Sequence, residues 1–315
     1  MDVLTAVDRD RIAGHCRADE FFWLDLTGPS PAELDALQAT LALHPMALED
    51  TREFGQRPKV DAYQDYVLLV FFTVQPCEDP DRVVEPVEIH VYISGQWIVT
   101  VHQLALPLLE RVQHELGPAH THEEDYLVYR ILDGLTDAFF PAIAVIEDRI
   151  DRLEAEVLER PHRDLLRHVY RVKQEVHELQ RLIAGQRDQF ATASTAILDL
   201  DALSRGTREY LRDIGDHLTQ IGGELQRQTD DLTALTTVYF NASAERVTRT
   251  ATRLSVIATF FVVWTLITGF FGQNFGWLVD NMESRTDFLV FGVGGLAVPS
   301  LVLAAVLWHK RRDWF

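Results

Sequence analysis

"LSVIATFFVVWTLITGFFGQNF", residues 254–275, decides the architecture of this chain. Its first 19 residues, Leu254 to Gly272, contain no Asp, Glu, Lys or Arg. As a helix rising about 1.5 Å per residue they span roughly 28 Å, the thickness of a bilayer's hydrocarbon core. A second uncharged run, "FLVFGVGGLAVPSLVLAAVLW", covers the 21 residues 288–308. The average composition hides both, because 47% hydrophobic and 24% charged residues would pass for a soluble protein. The expectation is a two-span membrane protein with a large water-facing part.

The charges beside the spans predict its orientation. Arg246, Arg249 and Arg253 precede the first span, and His309, Lys310, Arg311 and Arg312 follow the second. The linker 273–287 sets Arg285 alone against Asp280, Glu283 and Asp287. Basic flanks stay on the cytoplasmic side, so both termini are expected in the cytoplasm of a cell inner or plasma membrane, with the linker outside. The opening "MDVLTAVDRDRIAGH" has neither a basic n-region nor an apolar h-region, so the first 250 residues are expected to remain cytosolic. A formal net charge of −19 excludes nucleic acid as a partner and favours cations. Cys16 and Cys77 form no CxxC pair, so neither a disulfide framework nor a thiolate metal site is expected.

Proline punctuates the remainder. Eleven of the twelve lie at or before Pro161 and the other is Pro299, which leaves 137 residues between them without this helix breaker. Before that stretch, "FFWLDL" (21–26), "YVLLVFFTV" (66–74), "VEIHVYIS" (87–94) and "WIVTVH" (97–102) read as strands separated by turn residues. Helices are expected at 30–43, with Ser30 as N-cap and Pro31 in the first turn, and at 107–116. From Glu123 the apolar residues step by three or four to Pro161, and a second helix returns over 163–190. A last soluble helix starts near Thr195 and meets no stop signal before the first span. Two spans cannot enclose a polar pathway alone, so a bundle of several copies is expected.

The chain as a whole resembles the CorA family of divalent-cation channels. "HPMALEDTREFGQRPKVDAYQDYVLLVFF" (44–72), "EAEVLERP" (154–161), "YLRDIGDHLTQI" (210–221) and "YFNASAERVTRTATRLSVIATFFVVWTLITGFFGQNF" (239–275) carry the likeness, in the family's order and spacing. The resemblance implies an α+β protein: a cytoplasmic α/β sandwich (1–120), a helical hairpin (121–194) and a stalk helix (195–253). The stalk continues into a pore-lining span (254–272), an external loop (273–287), a second span (288–308) and a basic tail (309–315). It also implies a homopentameric funnel in the lipid bilayer, carrying Mg²⁺ as transported and regulatory ion, with no other cofactor and no enzymatic chemistry.

The family's Gly-Met-Asn signature is similar to Gly272, Gln273 and Asn274, with an amide in the middle position. A ring of Asn274 amide oxygens could accept hydrogen bonds from the tightly held water shell of Mg²⁺ without stripping it. On the resemblance, Thr265, Val262, Ala258, Leu254, Ala251 and Thr248 line the pore. Asp280, Glu283 and Asp287 would raise the cation concentration outside. Asp213, Asp216 and His217 are the regulatory metal candidates, with Glu78, Asp79 or Asp81 of a neighbouring subunit as the facing acid. "HTHEED" (120–125) reads as the acidic first turn of a helix.

Three functions compete: Mg²⁺ influx, with Co²⁺ and Ni²⁺ as further cargo, gated by intracellular divalent cation; a ZntB-like zinc transporter, with proton coupling as a variant; and a non-conducting membrane scaffold or sensor. Gln273 fits neither the Met of the magnesium branch nor the Ile of the zinc branch. No GxSxG, P-loop or HExxH pattern supports an enzyme.

Overall fold

The computed structural model describes residues 2–77, 82–115, 124–159, 162–200, 207–273, 276, 280 and 284–309. It divides into two compact units, one of Met1–Glu159 and Arg163–Thr236, the other of Arg160–His162 and Thr237–Phe315.

A six-stranded sheet centres the first unit. Its strands are β1 (Asp2–Leu4), β2 (Phe22–Thr27), β3 (Lys59–Ala62), β4 (Tyr66–Pro76), β5 (Val84–Ser94) and β6 (Trp97–His102), in the spatial order β1-β2-β6-β5-β4-β3. β1 and β6 flank β2 in parallel, while β6, β5, β4 and β3 pair antiparallel. β2, β4 and β6 are buried almost throughout, which explains why their sequences are continuous apolar runs and not alternating ones.

Helices cover both faces. On one side lie α1 (Arg9–Ala18), α2 (Pro31–Leu41) and α3 (Pro45–Arg52), whose Ile12, Leu34, Leu37, Ala47 and Leu48 share a buried cluster with Leu68, Tyr92 and Val99 of the strands. Ser30 and Glu33 form the capping box that starts α2, where the Ser-Pro pair predicts it. α4 (Pro107–Glu115) leads to α5 (Glu124–Asp137), α6 (Phe139–Glu159) and α7 (Arg163–Leu198). These take the opposite face: β4 alternates, so Phe71 meets Phe190 of α7 and the Thr73 hydroxyl donates to the Leu135 carbonyl of α5 at 2.7 Å.

Four elements go beyond the sequence reading. β1 and β3 have three and four residues, too few to show a period. α1 buries Ile12 alone, so it has no apolar stripe, and α3 starts on a His44 cap with Pro45 behind it. The long helix expected from Glu123 is two, α5 and α6, broken at Ala138. Pro141 supplies no N–H for the Asp137 carbonyl, which accounts for the break. The stalk expected from Thr195 also shifts. Thr195 lies inside α7, where its hydroxyl donates to the Ala191 carbonyl, and the next described helix, α8, is Thr207–Phe271.

α8 has 65 residues and passes from the first unit into the second. After it, one turn (Arg285–Asp287) and a π-helical segment (Phe288–Val293) run into α9 (Gly294–His309), which contains Pro299. Within Thr207–Phe270 and Arg285–Val306 lie windows long and apolar enough to cross a membrane, neither of them buried by the protein.

Candidate metal centre and pore segment

The first unit holds one cluster, among the described residues, with the donor set for a metal ion: Asp133 of α5 with Asp213 and His217 of α8. Their nearest donor atoms all lie within 4.8 Å of one another. Asp213 and His217 share a face because they are four apart on one helix. Asp133 comes to them because α5 packs its apolar stripe inward and carries this carboxylate on that stripe; the residue is only 5% exposed.

The details show a site short of positive charge. His217 Nδ1 lies 3.3 Å from Asp137 Oδ1 and 3.6 Å from Asp133 Oδ1, and its Nε2 lies 4.0 Å from Asp213 Oδ1. Asp133 Oδ1 and His217 Nδ1 are buried without a hydrogen bond of good geometry among the described residues. The Tyr129 hydroxyl donates to Asp213 Oδ2 at 3.0 Å, and Phe140 closes on the His217 ring edge-to-face at 5.6 Å. Burial pushes the Asp133 carboxyl above the usual carboxylate range. Asp137 adds to that rise, and His217 and Arg130 offset part of it. Tyr129 is raised as well, by burial and then by its bond to Asp213. Three carboxylates surround one imidazole, with Arg130 Nη1 3.5 Å from Asp133 Oδ2 offsetting part of their charge, and a metal ion would offset the rest.

Contrast the buried histidines of the sheet. His102 Nδ1 meets the Leu104 carbonyl at 2.6 Å and its Nε2 meets Asp25 at 3.0 Å. His90 sits between Thr51 and Glu88 at 3.0 and 2.8 Å. Both rings have every nitrogen matched, as structural groups do.

Of the expected regulatory residues, Asp213 and His217 are together, and Asp216 is exposed outside the cluster. Glu78, Asp79 and Asp81 lie outside the described residues, as do His120 and His122 of "HTHEED"; Glu124 and Asp125 do open α5. Asp133, Asp137 and Tyr129 escaped the sequence reading. Their signal was present: in "YLVYRILDGLTD" Tyr129, Asp133 and Asp137 step by four, and a carboxylate occupies a position that helical period assigns to the core.

In the second unit, Thr248, Ala251, Leu254, Ala258, Val262 and Thr265 are all exposed in the single chain. The Thr265 hydroxyl donates to the Phe261 carbonyl and that of Thr248 to Ala244, so each oxygen keeps a free lone pair. Gly272 closes α8 with its N–H on the Thr268 carbonyl at 2.9 Å; a Cβ there would meet that carbonyl at 3.1 Å. A side chain there would need that carbonyl to give by a few tenths of an ångström, while the backbone itself is not left-handed: Gly28 and Gly55 are the described glycines with positive φ. Gln273 is exposed, and Asn274 lies outside the described residues. Of the external acids, Asp280 is exposed and Glu283 lies outside the described residues. Asp287 forms a capping box with Ser284 at the start of the second span.

Comparison with known proteins agrees with these features. A family model described as CorA-like Mg2+ transporter protein matches residues 18–312. The cobalt/magnesium transport protein CorA of Thermotoga maritima is 26% identical over 299 residues, covering 93% of this chain and 83% of its own. The zinc transport protein ZntB of Yersinia pseudotuberculosis is 27% identical over 322 residues, covering 99% and 92%. Among solved structures, the CorA magnesium transporter of Methanocaldococcus jannaschii superposes with a TM-score of 0.77 at 18% identity, covering 93% of this chain and 91% of that one.

Proposed function

The chain belongs to the CorA-like Mg2+ transporter family and is a divalent-cation transporter, and from that premise we propose that it admits Mg²⁺ to the cytoplasm as a homopentameric channel. Co²⁺ and Ni²⁺ are further cargo. Both termini are cytoplasmic, and five copies of the second half of α8 surround the conduction path.

The observation that carries this reading is that the second half of α8, the stripe from Thr248 to Thr265 included, is exposed almost all round in one chain, up to the tight Gly272 turn. In one chain it faces nothing. Around an axis it forms a path with a threonine ring at each end and an apolar middle, closed outside by Gln273 and Asn274. Asn274 amides then recognise the hydrated ion, and the apolar middle gates by dewetting. Asp133, Asp213 and His217 form the regulatory site: an intracellular cation neutralises their carboxylates and holds the closed arrangement. An imidazole among carboxylates suits Zn²⁺ or Co²⁺ better than Mg²⁺, which would be held through the carboxylates and its own waters. The acids at 78, 79 and 81 are proposed to join this site from the adjacent subunit.

One observation favours a zinc reading. The ZntB relative is about as identical to this chain as CorA is, 27% against 26%, and Gln273 replaces the family's Met. Flux into proteoliposomes, measured for Mg²⁺, Zn²⁺ and Co²⁺ with and without a pH gradient, separates the two. Mg²⁺ flux that ignores the pH gradient and loses its ion preference in Asn274→Ala is the expected result. Zn²⁺ flux driven by protons transfers the assignment to zinc. Absence of flux for every metal leaves a membrane scaffold.

A further inference from the structure

Trp264 stands in the middle of the first span, where tryptophan is out of place: its amphipathic ring prefers the headgroup level. In hydrocarbon its indole N–H needs an acceptor from the protein. The structure supplies one. Trp264 Nε1 donates to Ser300 Oγ at 2.7 Å, and the Ser300 hydroxyl in turn donates to the Leu296 carbonyl at 2.7 Å. One donor and one acceptor site of the hydroxyl are thereby used, and the indole is satisfied.

The position of this bond on the helix gives it a purpose. Thr252, just before the span, and Val256, Phe260, Val263 and Ile267 within it are half-shielded, with spacings of four and three that make one stripe. At about 100° per residue that stripe lies roughly 240° to 320° round the helix from Trp264. The proposed pore-lining set Thr248, Ala251, Leu254, Ala258, Val262 and Thr265, exposed like most of this half of the helix, lies roughly 80° to 200° round. The two faces are centred about 140° apart, and Trp264 sits on the rim of the shielded one. On the second span, Gly292, Leu296, Pro299 and Leu303 are half-shielded at matching helical spacing, with Ser300 beside them. Apolar packing between such surfaces is weakly directional in lipid and permits roll about the helix axis. A roll of one residue would bring Leu266 to the place of Thr265. A directional bond from the rim of the interface opposes it.

We propose that the Trp264–Ser300 hydrogen bond pins the rotation of the pore helix, so that Thr265 and Val262 face the conduction path; this rests on the channel reading above. Trp264 and Ser300 are positioning residues and touch no ion.

The test uses the full-length chain, with Cys16 and Cys77 replaced by Ser, in proteoliposomes. An aqueous methanethiosulfonate reagent is applied to Thr265→Cys and Val263→Cys, one on each face, and the ratio of their modification rates is read. With the pin intact, Thr265→Cys reacts faster. In Ser300→Ala and in Trp264→Phe the ratio falls about threefold, the worth of one interhelical bond in lipid. The double variant falls no further, and Ser300→Thr restores the ratio. An unchanged ratio in both single variants, or losses that multiply in the double, overturns the pin. If Thr265→Cys is no faster even with the pin intact, the pore assignment fails, and thermal unfolding of the intact protein, the two single variants and the double variant decides the pin alone. Non-additive shifts in melting temperature then support it, and additive ones overturn it.

Discussion

The two halves of α8 are one backbone in two solvents. Up to Thr236 the helix is amphipathic: Leu211, Ile214, Leu218, Ile221, Leu225, Leu232 and Leu235 are buried at spacings of three, four and seven, and the opposite side carries charges such as Glu224, Arg227 and Asp231. Beyond it the order inverts. Leu254, Ile257, Phe261, Val262 and Leu266 stand exposed on the chain, and Tyr239 is the last residue of the helix in its core. The first half is held by burial against other helices of its own chain, the second by a medium in which apolar surface costs nothing. A helix therefore crosses a water–lipid boundary by a change of side-chain pattern, without any change of backbone.

Substituting the same residue in each half tests this contrast with the largest expected effect. Leu218 is fully buried, and Leu218→Ala should destabilise the cytoplasmic unit by about 3 kcal/mol in thermal unfolding of the detergent-solubilised protein. Leu266 is 72% exposed in the chain, and Leu266→Ala should leave that transition in place. Equal shifts would mean that the two halves share one solvent.

Next in size is the cation. At a hundredfold excess over its dissociation constant, a divalent ion bound only to the folded site stabilises by about 2.7 kcal/mol. Melting temperature should rise with added Mg²⁺ or Co²⁺ in the native protein and stay constant in Asp213→Asn and in His217→Ala. A rise that survives both substitutions would place the ion elsewhere.

A smaller effect is set by pH. The Asp133 carboxyl holds its proton more tightly in the fold than in the unfolded chain, because burial and then Asp137 oppose its charge. Metal-free protein should therefore gain stability as pH falls through that raised value and lose it again towards neutrality. Metal affinity should move the opposite way, weakening as the proton competes with the ion. In Asp133→Asn the first dependence should flatten; melting curves between pH 4 and 8 read it.

The smallest change in stability belongs to the pore stripe. Among the described residues the Thr265 hydroxyl bonds only within its own helix, so Thr265→Val should shift unfolding by less than about 0.5 kcal/mol while altering flux. A large loss of stability would make Thr265 a structural residue of the span.

Legibility in the sequence followed the strength of local patterns. The four central strands, the Ser30–Pro31 helix start and both spans were readable because each is a long run governed by its own neighbours. β1, α1, α3 and β3 were not, being too short or too polar to carry a period, and the α5–α6 break required one proline to outweigh a continuous apolar stripe. Two of the three residues of the candidate metal cluster were readable for the same reason. Asp213 and His217 announce themselves at i, i+4, but their partner is fixed by how α5 is packed.

By itself the sequence determined the two uncharged runs long enough to cross a membrane, the charges that flank them, the four central strands and most of the long helices, and the family. All of these depend on composition and on spacing within one element. The tertiary structure alone decided that Asp133 meets Asp213 and His217, and that Trp264 reaches Ser300. Each of those meetings joins two helices, and which side chains touch depends on the rotation and packing of both, a quantity that no local pattern encodes.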